Sequence, residues 1–146
     1  MNIWKKLEVI MALLRHLALR CRDVELSRRF YEEAIGFRFI GYRSPTGTGS
    51  IDLTDGTINI TLLPYAGQRA DLAEGDEYIH FGIFVDDLQT AWHRLKSSGA
   101  PGVKTVKGRN ELGGDAPPEV AFKVTDPDGN VIDVTGDREE WRGIEV

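Results

Sequence analysis

His16-Leu17-Ala18-Leu19-Arg20-Cys21-Arg22-Asp23-Val24 and His80-Phe81-Gly82-Ile83-Phe84-Val85-Asp86-Asp87-Leu88 open two stretches of this chain in the same way. In each, a histidine stands seven residues ahead of an aspartate and an amphipathic segment follows. A glycine, Gly36 or Gly99, closes the segment 20 or 19 residues after the histidine. The stretches also end alike, with Asp55-Gly56 ahead of Thr57 to Leu63 and Asp128-Gly129 ahead of Asn130 to Thr135. A unit repeated within one chain and supplying one imidazole per copy points to a site built between the copies.

Working outward from each histidine gives the elements. Leu13 to Cys21 is apolar enough for a buried strand. Asp23 suits a helix N-cap and Glu25 the positive end of the helix dipole. Val24, Phe30, Tyr31, Ala34 and Ile35 form an apolar stripe at helical spacing, with Gly36 as the left-handed stop. Phe37 to Arg43 reads as a strand, and Ser50 to Leu53 with Thr57 to Leu63 as a hairpin. The second copy repeats this order. Tyr78 to Val85 is a strand, and Asp87 caps a helix with Leu88, Ala91, Trp92 and Leu95 on its inner face. A short strand is expected at Val103 to Lys107, a glycine-bearing lid at Gly108 to Pro118, and a last hairpin from Val120 to Val134.

The expected fold is therefore α+β, two βαβββ modules whose curved sheets pair around a cleft. Module one covers about 12–64, a linker 65–77 and module two about 78–136. An N-terminal extension, 1–11, and a charged C-terminal tail, 137–146, complete a single domain. Met11 is an alternative start to Met1.

At 146 residues, folding should bury roughly 68–70% of the unfolded surface. A net charge of −5 argues against nucleic acid as the main partner. No stretch reaches the roughly 20 apolar residues of a membrane span. The apolar run Val9 to Leu14 is too short for a signal peptide and is broken by Arg15 and His16. The lone cysteine, Cys21, excludes an intramolecular disulfide and fits a reducing compartment, so a cytoplasmic protein is expected. Cys21 lies on an apolar strand between Arg20 and Arg22, and reads as an inert, partly buried thiol.

Strand alternation puts Leu14, His16 and Ala18 on one face, and Val131, Asp133 and Thr135 on one face. If the first strand of each module lines the cleft, His16, His80 and Asp133 could converge. Two imidazoles and a carboxylate leave about three positions open on a six-coordinate cation, enough for a bidentate substrate. Taken singly, each histidine reads as a hydrogen-bonded, half-buried residue, and Asp133 as a surface or turn-capping carboxylate. Their equivalent placement in a duplicated unit favours a metal. His93 falls outside the pattern and reads as surface. Asp126, Asp128 and Asn130 resemble half a calcium loop but lack its later glutamate, so turn chemistry accounts for them. Glu32, Glu33, Glu139 and Glu140 read as solvated faces.

This pattern resembles the vicinal oxygen chelate superfamily, which includes glyoxalase I, extradiol dioxygenases, methylmalonyl-CoA epimerase, and fosfomycin- and bleomycin-resistance proteins. The resemblance spans roughly residues 12–136. Its carriers are His16 to Leu19, Asp23 to Gly36 with Phe30-Tyr31, His80 to Leu88, and Asp126-Pro127-Asp128-Gly129-Asn130-Val131-Ile132-Asp133. It implies paired modules, a divalent ion in the cleft and a homodimer. The implied ligand positions are His16, Ile60, His80 and Asp133; shifting the register by one replaces Ile60 with Thr61. Either residue is a poor ligand, which leaves a three-ligand set, and Asp133 is one methylene shorter than the usual glutamate.

The first functional expectation is an enzyme dependent on Fe, Mn, Ni or Zn, held by His16, His80 and Asp133. It would act on a small-molecule substrate with vicinal oxygens, as a dioxygenase or as a lyase/isomerase. Three ligands lean towards the dioxygenase. No general base is singled out, although Tyr65, Glu77 and Tyr78 lie near the cleft in the expected register. The alternative is a metal-free protein that sequesters a small aromatic drug or metabolite, in the manner of bleomycin-resistance proteins. Its pocket would be lined by residues such as Phe39, Tyr42, Phe84 and Phe122, which otherwise read as core.

Overall fold

Each histidine leads into an edge strand. The computed structural model describes residues 12–67, 80–99 and 118–144. β1 (His16–Cys21) runs parallel to β4 (Asn59–Pro64). β3 (Ile51–Thr54) pairs antiparallel with β4, and β2 (Arg38–Tyr42) with β3, giving the order β1-β4-β3-β2. The second sheet repeats the pattern: β5 (Phe81–Phe84) lies parallel to β7 (Val131–Thr135), and β6 (Ala121–Thr125) pairs antiparallel with β7. The architecture is α+β, as the duplicated sequence pattern anticipates. The expected strand at 103–107 and most of the expected lid and linker lie outside the described residues.

Asp23 caps α1 (Val24–Arg29), its carboxylate accepting the Leu26 N–H at 2.9 Å. The sequence pattern predicts one continuous α-helix to Gly36. Instead the last six residues, Phe30–Ile35, widen into a π-helical turn. The wider turn still buries Phe30, Tyr31 and Ala34, and Gly36 ends it with φ +94°. Asp87 caps α2 (Leu88–Ser97) in the same way, accepting from the Thr90 N–H at 3.0 Å. Leu88, Trp92 and Leu95 are the buried face of α2.

Leu19, Cys21, Ile60 and Leu62 from sheet one and Phe122, Val124, Ile132 and Val134 from sheet two share one buried cluster with the helix residues. Each fully buried Leu, Ile or Phe stabilises by about 1.5–3 kcal/mol. The two modules are also tied by polar contacts at one turn. Asp126 has no exposed surface and accepts from Tyr31 Oη at 2.7 Å, Asp128 N at 2.9 Å and Asn130 N at 2.8 Å. Asp128 accepts from Arg22 N at 3.0 Å and Ser27 Oγ at 3.1 Å. The turn reading of this segment holds, and the turn also fastens module two to the first helix. Among the described residues, no helix is long and apolar enough to cross a membrane.

Candidate functional site

With the apolar faces turned into the core, the polar faces of the two sheets carry the candidate residues. His16 is exposed at the start of β1, and its register partner is Asn59, with His16 Nδ1 and Asn59 Oδ1 2.6 Å apart. Two residues along β4, Thr61 lies on the same face and is almost completely buried. Its hydroxyl stands 2.6 Å from Asp52 Oδ1 on β3 and 3.1 Å from Asn59 Oδ1. Arg43 Nε lies 3.0 and 3.1 Å from the two oxygens of Asp52. Partial burial of Asp52 opposes its ionisation. The hydrogen bonds from Thr61, Arg43 and Asn59 and the charge of Arg43 outweigh that burial, and hold the carboxyl below its ordinary value.

Sheet two is arranged differently. His80, immediately before β5, places Nε2 3.3 Å from Asp133 Oδ2, and Lys123 Nζ lies 3.4 Å from Asp133 Oδ1. A nitrogen and an oxygen on one first-row cation, each bonded at about 2.0–2.2 Å, stand about 3.0–3.4 Å apart. The His80–Asp133 pair therefore fits two neighbouring corners of a divalent ion. The ammonium of Lys123 pins the other oxygen and lowers the net charge of the corner.

The structure joins His80 to Asp133 and sets His16 on the other sheet. Among the described residues, no group of three or more His, Cys, Asp or Glu side chains comes close enough to hold a metal. The register also corrects one position. Gly82 pairs with Asp133 and Ala18 with Thr61, so Thr61 is the module-one counterpart of Asp133. Ile60 points into the core with only 2% exposure. Counting from the glycine of the turn misplaces the counterpart by one residue, which in a strand is the opposite face. The module-one carboxylate on this face is Asp52, one strand over, where it pairs with Thr61 as Lys123 pairs with Asp133.

Phe122 belongs to the core rather than to a pocket wall. Phe39 and Tyr42 pack half-buried against the core, ring to ring at 5.6 Å, with the guanidinium of Arg28 3.8 Å over Phe39. Tyr42 Oη also bonds Glu25. Tyr65 lies under Arg20, and Glu77 and Tyr78 fall outside the described residues. His93 is exposed, as its place outside the repeat suggests.

One participant goes unrecognised in the sequence, where residues 137–146 read only as a charged tail. Trp141 lies against Gly82 at the place a side chain would occupy, and Arg138 sits 4.5 Å over the ring of Phe84. Gly82 and Phe84 alternate onto the same face as His80. The tail thus runs along the site-bearing face of β5, beside a cavity of about 300 Å³ lined by Phe37, Ile83 and Phe84 among others. A glycine inside an otherwise apolar strand signals such a close approach, although not what approaches.

The profile of the "Glyoxalase/Bleomycin resistance protein/Dioxygenase superfamily" matches residues 13–134. The "Probable lactoylglutathione lyase" of Vibrio cholerae is 28% identical over 145 residues, covering 89% of this chain and 94% of the relative. The "Lactoylglutathione lyase" of Neisseria meningitidis serogroup A is 32% identical over 127 residues, covering 82% and 87%. In structure, the fosfomycin resistance protein FosX of Mesorhizobium loti superposes with a TM-score of 0.64 at 18% identity, covering 89% and 95%, and shows the shared fold. On the extent of these matches, the chain belongs to the glyoxalase/bleomycin resistance protein/dioxygenase superfamily.

Proposed function

We propose that this protein is a divalent-metal-dependent lyase or isomerase acting on a small substrate with neighbouring oxygens, with His16, His80 and Asp133 as the ligands. The observation that carries the reading is the His80–Asp133 pair, whose 3.3 Å separation suits two adjacent ligands of one cation. His16 stands at the equivalent position of the other module and supplies the third donor. The names of the relatives favour lyase chemistry over ring-cleaving oxygenation, with lactoylglutathione as the first compound to test. When bound, the cation acts as a Lewis acid on the two oxygens of the substrate. Lys123 holds Asp133 Oδ1, which turns Oδ2 towards His80. Thr61 supplies no carboxylate, so the set has three protein ligands and Fe, Mn, Ni and Zn are the candidate ions.

With both site-bearing faces directed away from the shared core, the complete set is assembled in a homodimer, sheet one of one copy meeting sheet two of another. Titrating the metal-free protein with Mn²⁺, Ni²⁺, Fe²⁺ and Zn²⁺ in a calorimeter tests the reading. Near-stoichiometric uptake is expected, at least about 100-fold weaker in His80→Ala and Asp133→Ala. Metal-dependent interconversion of lactoylglutathione, followed by thioester absorbance, is expected with the best ion. A wild-type protein that takes up none of these ions, yet binds a small aromatic compound stoichiometrically, would sink the enzyme and leave a sequestering protein.

A further inference from the structure

We propose that Asn59 is a positioning residue for His16: its amide, oriented by Asp52, holds the imidazole as the Nδ1–H tautomer and leaves Nε2 as the metal donor. The donor role rests on the function proposed above; the tautomer does not. The argument starts from strand register. His16 and Asn59 are partners across β1 and β4, and Thr61 and Asp52 are partners across β4 and β3. Alternation then puts all four side chains on one face.

Hydrogen-bond directions follow from what each group can donate. Asp52 is ionised and only accepts. Arg43 donates to both of its oxygens, and Thr61 gives its single proton to Oδ1 across 2.6 Å, a shorter, charge-assisted contact than the 3.1 Å to Asn59. Asn59 is among the groups whose hydrogen-bonding influence lowers the Asp52 pKa, and towards a carboxylate an amide exerts that influence only through its NH₂. The opposite orientation would set the amide oxygen against a carboxylate. With Nδ2 spent on Asp52, Oδ1 is what lies 2.6 Å from His16 Nδ1. An oxygen acceptor at that distance requires the proton on Nδ1, so the Nε2 lone pair is the one left to bind a cation.

The chain Arg43–Asp52–Asn59–His16 orients its imidazole as carboxylate–histidine–metal triads do, with an amide between the acid and the ring. Among the described residues, module two has no counterpart to this chain. Extending the β5–β7 register by one places Val131 opposite His80, and Val131 carries no polar atom. His80 meets its carboxylate directly instead, through Nε2.

Long-range ¹H–¹⁵N correlation of the full-length, metal-free protein, labelled in histidine, reads the tautomer. The spectrum is recorded at about pH 8.5, above the ordinary imidazole pKa of about 6.5. Wild-type His16 is expected almost wholly as Nδ1–H. Asn59→Leu is expected to release it to a mixture dominated by Nε2–H. Asn59→Asp, whose carboxylate can still accept from Nδ1, is expected to restore it. Asp52→Asn leaves Asn59 in place but removes what orients it, and is expected to give a mixture even if the leucine variant does not fold. Metal affinity should follow the tautomer, falling about 10–100-fold in Asn59→Leu and recovering in Asn59→Asp. A wild-type spectrum showing Nε2–H, or a mixture unchanged in every variant, overturns the proposal. Clean Nδ1–H in a wild-type protein that takes up no cation supports the relay and overturns the metal-binding function instead.

Discussion

Cys21 shows how position overrides composition. In the sequence it lies between two arginines, a setting that lowers a thiol pKa in solution. In the structure Arg20 alternates onto the opposite face of β1, Arg22 lies past the end of the strand with its Nε 3.5 Å from Asp128, and Cys21 has no exposed surface. Burial is the largest influence and pushes the thiol from 9.0 up to about 12. A bond with Ser27 opposes the rise, and the charges of Asp128 and Asp126 reinforce it. The sign of the linkage follows. The unfolded chain loses its thiol proton near pH 9 and the folded chain near 12, so stability declines as pH rises across that interval. At pH 8 we expect Cys21 to react with a disulfide reagent at least about 100-fold more slowly in the native protein than in urea. Equal rates with and without urea would show that the thiol is accessible and the burial wrong.

At the scale of elements, β5 and the tail define one another. A methyl group on Gly82 would overlap the indole of Trp141, and Arg138 fixes the same segment through Phe84 and through Asp86 at 2.8 Å. Gly82→Ala should therefore cost about 1–3 kcal/mol, the usual range for forcing a methyl group into a packed contact. It should also speed tryptic cleavage at Arg138 and Arg142. In a Trp141→Ala background the same substitution should cost nearly nothing. An undiminished cost in that background would mean that the strain comes from the strand and not from the tail.

The legibility of the chain divides along the same lines. Local rules mark the aspartate caps, the glycine stops and the turn aspartates in the sequence because each is an arrangement of neighbours in the chain. His16 and His80 stand out as candidates because the repeat places them equivalently, and Asp133 because it lies on the last strand of the second copy. The counterpart of Asp133 depends on strand register, which a single residue of miscounting inverts, and so Thr61 is hidden behind Ile60. Asn59, Asp52 and Lys123 become visible only through cross-strand pairing, and Trp141 only through a contact between segments distant in sequence.

For the whole molecule, the shared core sets how the modules can combine. Both sheets contribute their apolar faces to one buried cluster shared with the helices, and His16, Ala18 and Arg20 on one edge strand and His80 and Gly82 by the other are exposed. On their outer sides β1 and β5 have no strand partner among the described residues, and Leu13 and Leu14 are exposed just before β1. Unpaired edges of this kind are places where chains associate. If two copies exchange modules, each site takes His16 from one copy and His80 with Asp133 from the other. His16→Ala and His80→Ala homodimers then have no intact site, but a mixed dimer has one intact and one doubly deficient site. With random assortment half the dimers are mixed, so an equimolar mixture, unfolded and refolded together, should recover roughly a quarter of wild-type metal uptake. If the modules close on each other within one chain, every site in the mixture lacks one imidazole and uptake stays at the level of the separate variants.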